Sequence, residues 1–225
     1  MRLRNDTALS PAQARRVYNR IGRVQDWQRL YEAEPIRVLI ESGAFGSADA
    51  VYELGCGTGA FARRLLTDHL DSSTTYFAVD ISDTMVRLST ERLTPWADRC
   101  VVRRVDGTLP LPGHDRQFDR FVANYVFDLL DDDYTTELLS EAERLLMPGG
   151  MLCAVSLTQG STPVSRAVCR GWDRIWSRAP KLVGGCRPIA LEPFLGDRWD
   201  IVHHRVVTTW GVPSQVIIAT PACAG

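Results

Sequence analysis

The residues with the clearest chemical potential fall in one stretch, Val51-Tyr52-Glu53-Leu54-Gly55-Cys56-Gly57-Thr58-Gly59. Three glycines at alternate positions let the backbone turn tightly and approach a ligand closely, because no Cβ stands in the way. Glu53 puts a carboxylate two residues ahead of the first glycine. That carboxylate would repel a pyrophosphate. It suits a ligand with positive charge, or with hydroxyl and ammonium donors. A second acid, Asp80, follows about twenty residues past the loop, where a carboxylate can accept from both hydroxyls of a ribose. A third, Asp106, precedes Gly107, and Asn124-Tyr125-Val126-Phe127-Asp128 adds an amide, two aromatics and another acid.

The elements that must position these groups are legible around them. Ala50 to Leu54 reads as a short buried strand and Ala60 to Leu66 as a helix, so the glycines turn a strand into a helix, as a nucleotide-binding α/β unit does. The free N–H groups at the start of that helix face the ligand. Thr74 to Val79 is a β-rich run ending in Asp80. Ser82 is a good N-cap for a helix to Leu93, which leaves Asp80 available to a ligand. Cys100 to Val105 predicts a third strand, ending at Asp106, and Phe118 to Ala123 a fourth, ending at Asn124. In a doubly wound sheet, ligands bind at the carboxyl ends of the strands, where all of these residues fall.

A helix from Asp133, with Leu138, Leu139, Ala142, Leu145 and Leu146 on one face, is expected to stop at Met147-Pro148-Gly149-Gly150, before a strand from Met151 to Ser156. Trp199 to Thr209 and Pro213 to Thr220 read as two strands joined near Trp210-Gly211. So close a join forces an antiparallel pair. Ahead of the first strand, Ser10-Pro11 opens a helix carrying Val17, Ile21, Val24 and Tyr31, with Arg16, Arg20 and Arg23 beside them. Glu34-Pro35 is expected to break it, with a second helix from Ile36 to near Gly43. Residues 158–197 hold Trp172, Trp176 and a helical stretch from Ser165 to Ala179, and they border the fourth strand end.

The order E-x-G-x-G-x-G at Glu53 to Gly59 resembles the first motif of the class I S-adenosylmethionine-dependent methyltransferases. Leu146-Met147-Pro148-Gly149-Gly150 is similar to the L-x-P-G-G turn of their small-molecule branch, and Tyr18-Asn19-Arg20 to a Y-D/N segment that contacts the methionine end of the cofactor. The resemblance covers roughly residues 10–220 and is closest to the group typified by ubiquinone and menaquinone biosynthesis methyltransferases, which includes phospholipid N-methyltransferases. It implies an α/β fold: a Rossmann-like, doubly wound, seven-stranded and mostly parallel sheet with a C-terminal antiparallel hairpin and an N-terminal helical lid. The chain is then one domain over 1–225, with helices in 1–45, the core in 46–225 and an acceptor-side insertion at about 158–197. It implies S-adenosylmethionine as cofactor and S-adenosylhomocysteine as product. The implied cofactor contacts are Tyr18, Glu53, Gly55, Cys56, Gly57, Gly59, Asp80, Ile81, Met85, Asp106, Gly107, Asn124 and Tyr125, with Asp106 accepting from the adenine amino group. Amino-methyltransferases with an N-P-P-Y/F motif keep an amide and an aromatic at the fourth strand end. Asn124 and Phe127 match; the two prolines do not.

A nucleophilic N, O, S or C atom of a small acceptor would attack the sulfonium methyl in line, so a general base is optional. Tyr18, Asp128 and His114 are the candidates. An adenosyl-ligand sensor or a silent partner subunit is the alternative. Glu53, the glycine spacing and the terminal hairpin disfavour a nicotinamide-dependent oxidoreductase. With 225 residues, 45% of them hydrophobic, there is chain enough for a substantial core. A net charge of −1 does not suggest a nucleic-acid binder. The six cysteines show no paired spacing, which points to a reduced, cytoplasmic protein, and the four histidines form no metal-ligand pattern. No apolar run has transmembrane length. The arginine stripe keeps a phospholipid-like acceptor and a peripheral membrane contact open. Monomer and homodimer are both compatible with the sequence.

Overall fold

The structure, a computed structural model, describes residues 25–160 and 186–222. Tyr18, the Ser10-Pro11 helix start, the arginine stripe, Trp172, Trp176 and the Ser165–Ala179 helix lie outside the described residues.

Seven strands form one sheet in the order β3-β2-β1-β4-β5-β7-β6. They are β1 (Ala50–Leu54), β2 (Thr75–Asp80), β3 (Cys100–Arg104), β4 (Phe118–Asn124), β5 (Leu146–Leu157), β6 (Trp199–Thr209) and β7 (Val212–Pro221). The first five pair in parallel; β7 runs antiparallel to both β5 and β6. The expected parallel sheet closing in an antiparallel hairpin is therefore present. Strand order reverses between β1 and β4, and the crevice at such a switch point is where open α/β sheets hold ligands.

Both faces of the sheet are covered, so the central strands read as almost continuous apolar runs. Along β1 the side chains alternate between faces. Tyr52 and Leu54 join Phe121, Leu152 and Ile217 under helix α4 (Asp132–Leu145). Val51 joins Val122, Val155 and Ile218 on the other face, with Val38 and Leu39 of α1 (Gln25–Ser42) and Leu65 of α2 (Ala60–Asp68). Tyr52 stacks on Phe121 at 5.1 Å between ring centroids and meets Phe118 edge-on at 5.1 Å. Such pairs contribute roughly 0.5–1.5 kcal/mol each beyond their burial.

Three local expectations are corrected. Helix α1 does not break at Glu34-Pro35 but runs through Pro35 to Ser42. Proline removes one helical hydrogen bond. Burial of Tyr31, Val38, Leu39 and Ile40, with Arg37 paired to Glu34 and Glu41 on the outer face, keeps the helix going. Second, α4 starts at Asp132, one residue early. Its N-cap Asp131 accepts from the Tyr134 amide at 2.8 Å. Third, Met147-Pro148-Gly149-Gly150 is not a turn between helix and strand. Strand β5 begins at Leu146, directly after α4. Its pairing with β4 jumps from Phe118–Leu146 to Arg120–Met151, so the Pro-Gly segment is taken up as a bulge.

His203 and His204 lie on opposite faces of β6, as their adjacency in a strand requires. One approaches Ser42 of α1 at 3.5 Å, the other Glu192 of α5 (Glu192–Leu195) at 3.2 Å.

Candidate active site

A cavity of about 530 Å³ opens at the carboxyl ends of β1, β2 and β4, at the switch point. That volume lies within the usual range for small-molecule sites. The glycine loop forms its floor. Gly57 and Gly59 both have positive φ, +53° and +71°, a region that costs any residue with a Cβ. Their surroundings differ. A Cβ on Gly59 would sit 2.6 Å from Ser89 Oγ and 3.1 Å from Ser89 Cα, on helix α3 (Asp83–Leu93). A Cβ on Gly57 would meet no protein atom within 4 Å, because this residue faces the cavity. We expect Gly59→Ala to lower stability by about 1–3 kcal/mol, read from the denaturation midpoint. Gly57→Ala should cost less stability but impair ligand binding more, read by calorimetry.

The loop is held from both sides. Asp80, 9% exposed, accepts from the Gly57 amide at 2.9 Å and from the Ser82 amide at 2.8 Å. Arg92 of α3 donates to the Thr58 carbonyl and hydroxyl, both at 2.6 Å. Ser82 does cap α3, through a 3.4 Å bond from the Met85 amide. Asp80 is nonetheless not left idle: each of its oxygens already takes one backbone N–H and keeps a lone pair for a ligand. Burial raises its pKa, opposed by the amides of Ser82, Gly57 and Ile81.

Glu53 is 2% exposed and lines the cavity. Its Oε2 accepts from the Tyr76 hydroxyl at 2.9 Å. Register explains the contact: Tyr76 pairs with Val51, two residues before Glu53 on the same face, so its long side chain reaches along the sheet. Burial pushes the Glu53 carboxyl up to about 8, against the Tyr76 hydrogen bond and with the Asp80 charge.

Across the switch point, Asn124 and Tyr125 end β4 and line the cavity. Both amide atoms of Asn124 are buried with no hydrogen-bond partner among the described residues. Such orphans are costly without a ligand or water. Tyr125 has φ +55°, donates to or accepts from Ser214 Oγ at 3.0 Å, and meets Tyr31 of α1 edge-on at 6.0 Å.

Of the other expected residues, Gly55, Cys56, Ile81, Met85 and Gly107 line the cavity. Asp106 does not. It is exposed, and its carboxylate accepts from the Thr108 amide at 3.0 Å and hydroxyl at 2.6 Å. His114 is exposed in the loop entering the amino end of β4, the far end of the sheet, so the fold does not bring it to the cavity. Asp128 is fully buried in the 3₁₀ turn after β4, beside the cavity wall rather than in it. Sequence reasoning missed Glu32 and Ile36 of α1, Tyr134 of α4, whose hydroxyl donates to the Gly107 carbonyl at 2.7 Å, and Cys186. None sits in a motif; they reach the site through folding alone.

Among the described residues no cluster of His, Cys, Asp and Glu could hold a metal ion, and no helix is long and apolar enough to cross a membrane. The described cysteines Cys56, Cys100, Cys153 and Cys186 are free thiols.

Residues 51–150, from β1 into β5, match the family model of a methyltransferase domain. No curated protein matches the chain in sequence. Solved structures share its fold at low identity. The [4+2]-cyclase SpnF is 16% identical, with a TM-score of 0.69 over 95% of this chain and 97% of its own. Geranyl diphosphate C-methyltransferase from Streptomyces coelicolor A3(2), solved with Mg²⁺, geranyl diphosphate and S-adenosylhomocysteine, is 13% identical, with a TM-score of 0.68 over 94% of this chain and 97% of its own. Mitomycin 7-O-methyltransferase is 17% identical, with a TM-score of 0.69 over 93% of this chain and 60% of its own. A glycine loop between two acids at the switch point, the methyltransferase domain matched over residues 51–150 and this strand order agree: the chain carries a methyltransferase domain on a Rossmann-like methyltransferase fold.

Proposed function

We infer that the chain is a class I S-adenosylmethionine-dependent methyltransferase that moves the methyl group of S-adenosylmethionine to a small acceptor held in the same cavity, with Glu53, Gly57, Asp80 and Asn124 as its principal ligand contacts. The observation that carries this reading is the donor and acceptor set of the wall. Two buried carboxylates suit a ligand with cationic groups and hydroxyl donors, Gly57 leaves room for close approach, and the unpaired Asn124 amide offers one donor and one acceptor. The residues present fit the cofactor. When bound, it supplies an electrophilic methyl on a sulfonium.

The chain's own part is mostly placement. Aligning two reactants can lower a barrier by roughly 7–11 kcal/mol. Val126, Leu129 and Leu130 keep the reacting end apolar, and Ile36 covers it from α1, which excludes water. In this reading the helices ahead of β1 act as a lid, and residues 158–197 complete the acceptor side. A phospholipid-like amphiphile is one acceptor such a site could take.

The test is calorimetry with S-adenosylmethionine, S-adenosylhomocysteine and NAD, followed by a search for S-adenosylhomocysteine formation in cell extract with labelled cofactor. Micromolar-range binding of both adenosyl compounds, with label appearing on a metabolite, is expected. Tight NAD binding without S-adenosylhomocysteine binding would reject the reading. Adenosyl binding with no methylated product would favour a silent or cyclase-like role, which the cyclase of the same fold makes a concrete alternative.

A further inference from the structure

Among the described residues Glu53 makes one hydrogen bond, to Oε2 from the Tyr76 hydroxyl at 2.9 Å. Both residues are 2% exposed. The sheet makes the contact possible. Directly across from Glu53 on β2 stands Ala78, and Tyr76 lies two residues before it on the same face. The small Ala78 side chain leaves room beside the carboxylate, and the Tyr76 phenol reaches into it. The other carboxylate oxygen, Oε1, has no hydrogen bond among the described residues, yet it is not among the sealed, unpaired atoms. Glu53 lines the cavity, so that oxygen is left to a ligand. Tyr76 does not line the cavity.

The groups that face Glu53 among the described residues give it no cation. Asp80 at the end of β2 opposes its charge. Cys56 of the glycine loop and Cys100 of β3 are thiols that burial pushes up, so they stay neutral. Tyr76 is raised by its own burial and by the Glu53 charge, and remains a neutral donor. Burial and Asp80 both work against the carboxylate; the Tyr76 hydroxyl works for it. A hydrogen bond to a charged acceptor is stronger than one to a neutral acceptor, so this donor acts mainly on the ionised form.

A phenylalanine at position 76 would fill nearly the same space in the core and bury no polar atom, so the use of the hydroxyl lies at Oε2. We propose that Tyr76 is a positioning residue for the cofactor: its hydroxyl fixes Oε2, leaves Oε1 facing the ligand, and sets the pH at which Glu53 meets that ligand as a carboxylate. This rests on the cofactor contact assigned to Glu53 above. Tyr76 acts through Glu53 and touches no cofactor atom itself.

The experiment compares wild type, Tyr76→Phe, Glu53→Gln and the double variant as full chains, each titrated with S-adenosylhomocysteine between about pH 6 and pH 9. At pH 7, Tyr76→Phe should bind about tenfold more weakly than wild type, since one charge-assisted hydrogen bond is lost. The gap should narrow toward pH 9. Losing a donor to the carboxylate moves the pH at which affinity levels off from about 8 upward, by about one unit for a tenfold effect. In the Glu53→Gln background the same change should alter affinity by less than about twofold. The ligand-free protein gives a second reading. At pH 6, where Glu53 is protonated in both, Tyr76→Phe should melt close to wild type; by pH 9, where wild type carries the buried carboxylate, it should melt lower. A loss of affinity of the same size at every pH, or one that persists with Glu53→Gln, would show that the hydroxyl serves packing alone. So would a melting deficit that does not change with pH. Failure of wild type to bind S-adenosylhomocysteine would instead reject the cofactor reading, and the melting comparison would still decide whether Tyr76 controls Glu53.

Discussion

Replacing Asp80 by alanine is expected to weaken S-adenosylhomocysteine binding by about a hundredfold or more, from two sources acting together. The Gly57 amide loses its partner at 2.9 Å, so the loop is no longer pinned where Gly57 faces the cavity. A ligand hydroxyl loses its acceptor as well. Hydrogen bonds to a charged group contribute roughly 1.5–3 kcal/mol each, and about 1.4 kcal/mol is tenfold in affinity. Asparagine should not rescue the site. Asp80 faces two donors, the Gly57 and Ser82 amides, and an asparagine NH₂ must point at one of them. We therefore expect Asp80→Asn to lie closer to Asp80→Ala than to wild type in calorimetry, with both folded by circular dichroism. Wild-type affinity in Asp80→Asn would show that neither loop pinning nor hydroxyl acceptance matters.

That result bears on how much the sequence could say. The strands and the terminal hairpin were legible because each depends on a short-range signal: an apolar run, a glycine, or a connection too short for a crossover. The cofactor end was legible for the same reason, since Glu53, the glycine loop and Asp80 lie within one βαβ unit. Asp80 still carried a surprise. Ser82 does cap α3, but Asp80 also holds Gly57, which only the loop's folded path reveals. The acceptor side was opaque. Glu32, Asp128 and Cys186 meet across long sequence separations, and nothing in their local sequence marks them. Pro35 misled because local proline chemistry was outweighed by the buried face of α1. Asp106 fits the pattern of strand-end acids, yet Thr108, two residues on, engages its carboxylate in a local turn.

The other large effect is a proton linked to cofactor binding through Glu53. With its carboxyl pushed up to about 8, Glu53 is mostly neutral at pH 7 in the ligand-free protein. A ligand bringing positive charge to this end of the cavity favours the carboxylate, so binding releases a proton. Affinity for S-adenosylhomocysteine should then rise with pH below about 8, by up to about tenfold per unit, and level off above it. Folding responds with the opposite sense. Between the ordinary glutamate range and about 8, the native state holds a proton that the unfolded chain has lost, so stability falls as pH rises through that window. Asp128 contributes with the same sign up to about 7, so a variant is needed to isolate Glu53. Glu53→Gln keeps an acceptor for the Tyr76 hydroxyl at 2.9 Å but cannot ionise. It should melt higher than wild type at pH 8.5, where wild type bears the buried charge, yet bind S-adenosylhomocysteine more weakly and without pH dependence. Calorimetry at pH 7 in buffers of different ionisation enthalpy reads the proton directly. A wild type that releases none, or a Glu53→Gln variant that melts lower at pH 8.5 than wild type, would mean that Glu53 is already ionised in the free enzyme.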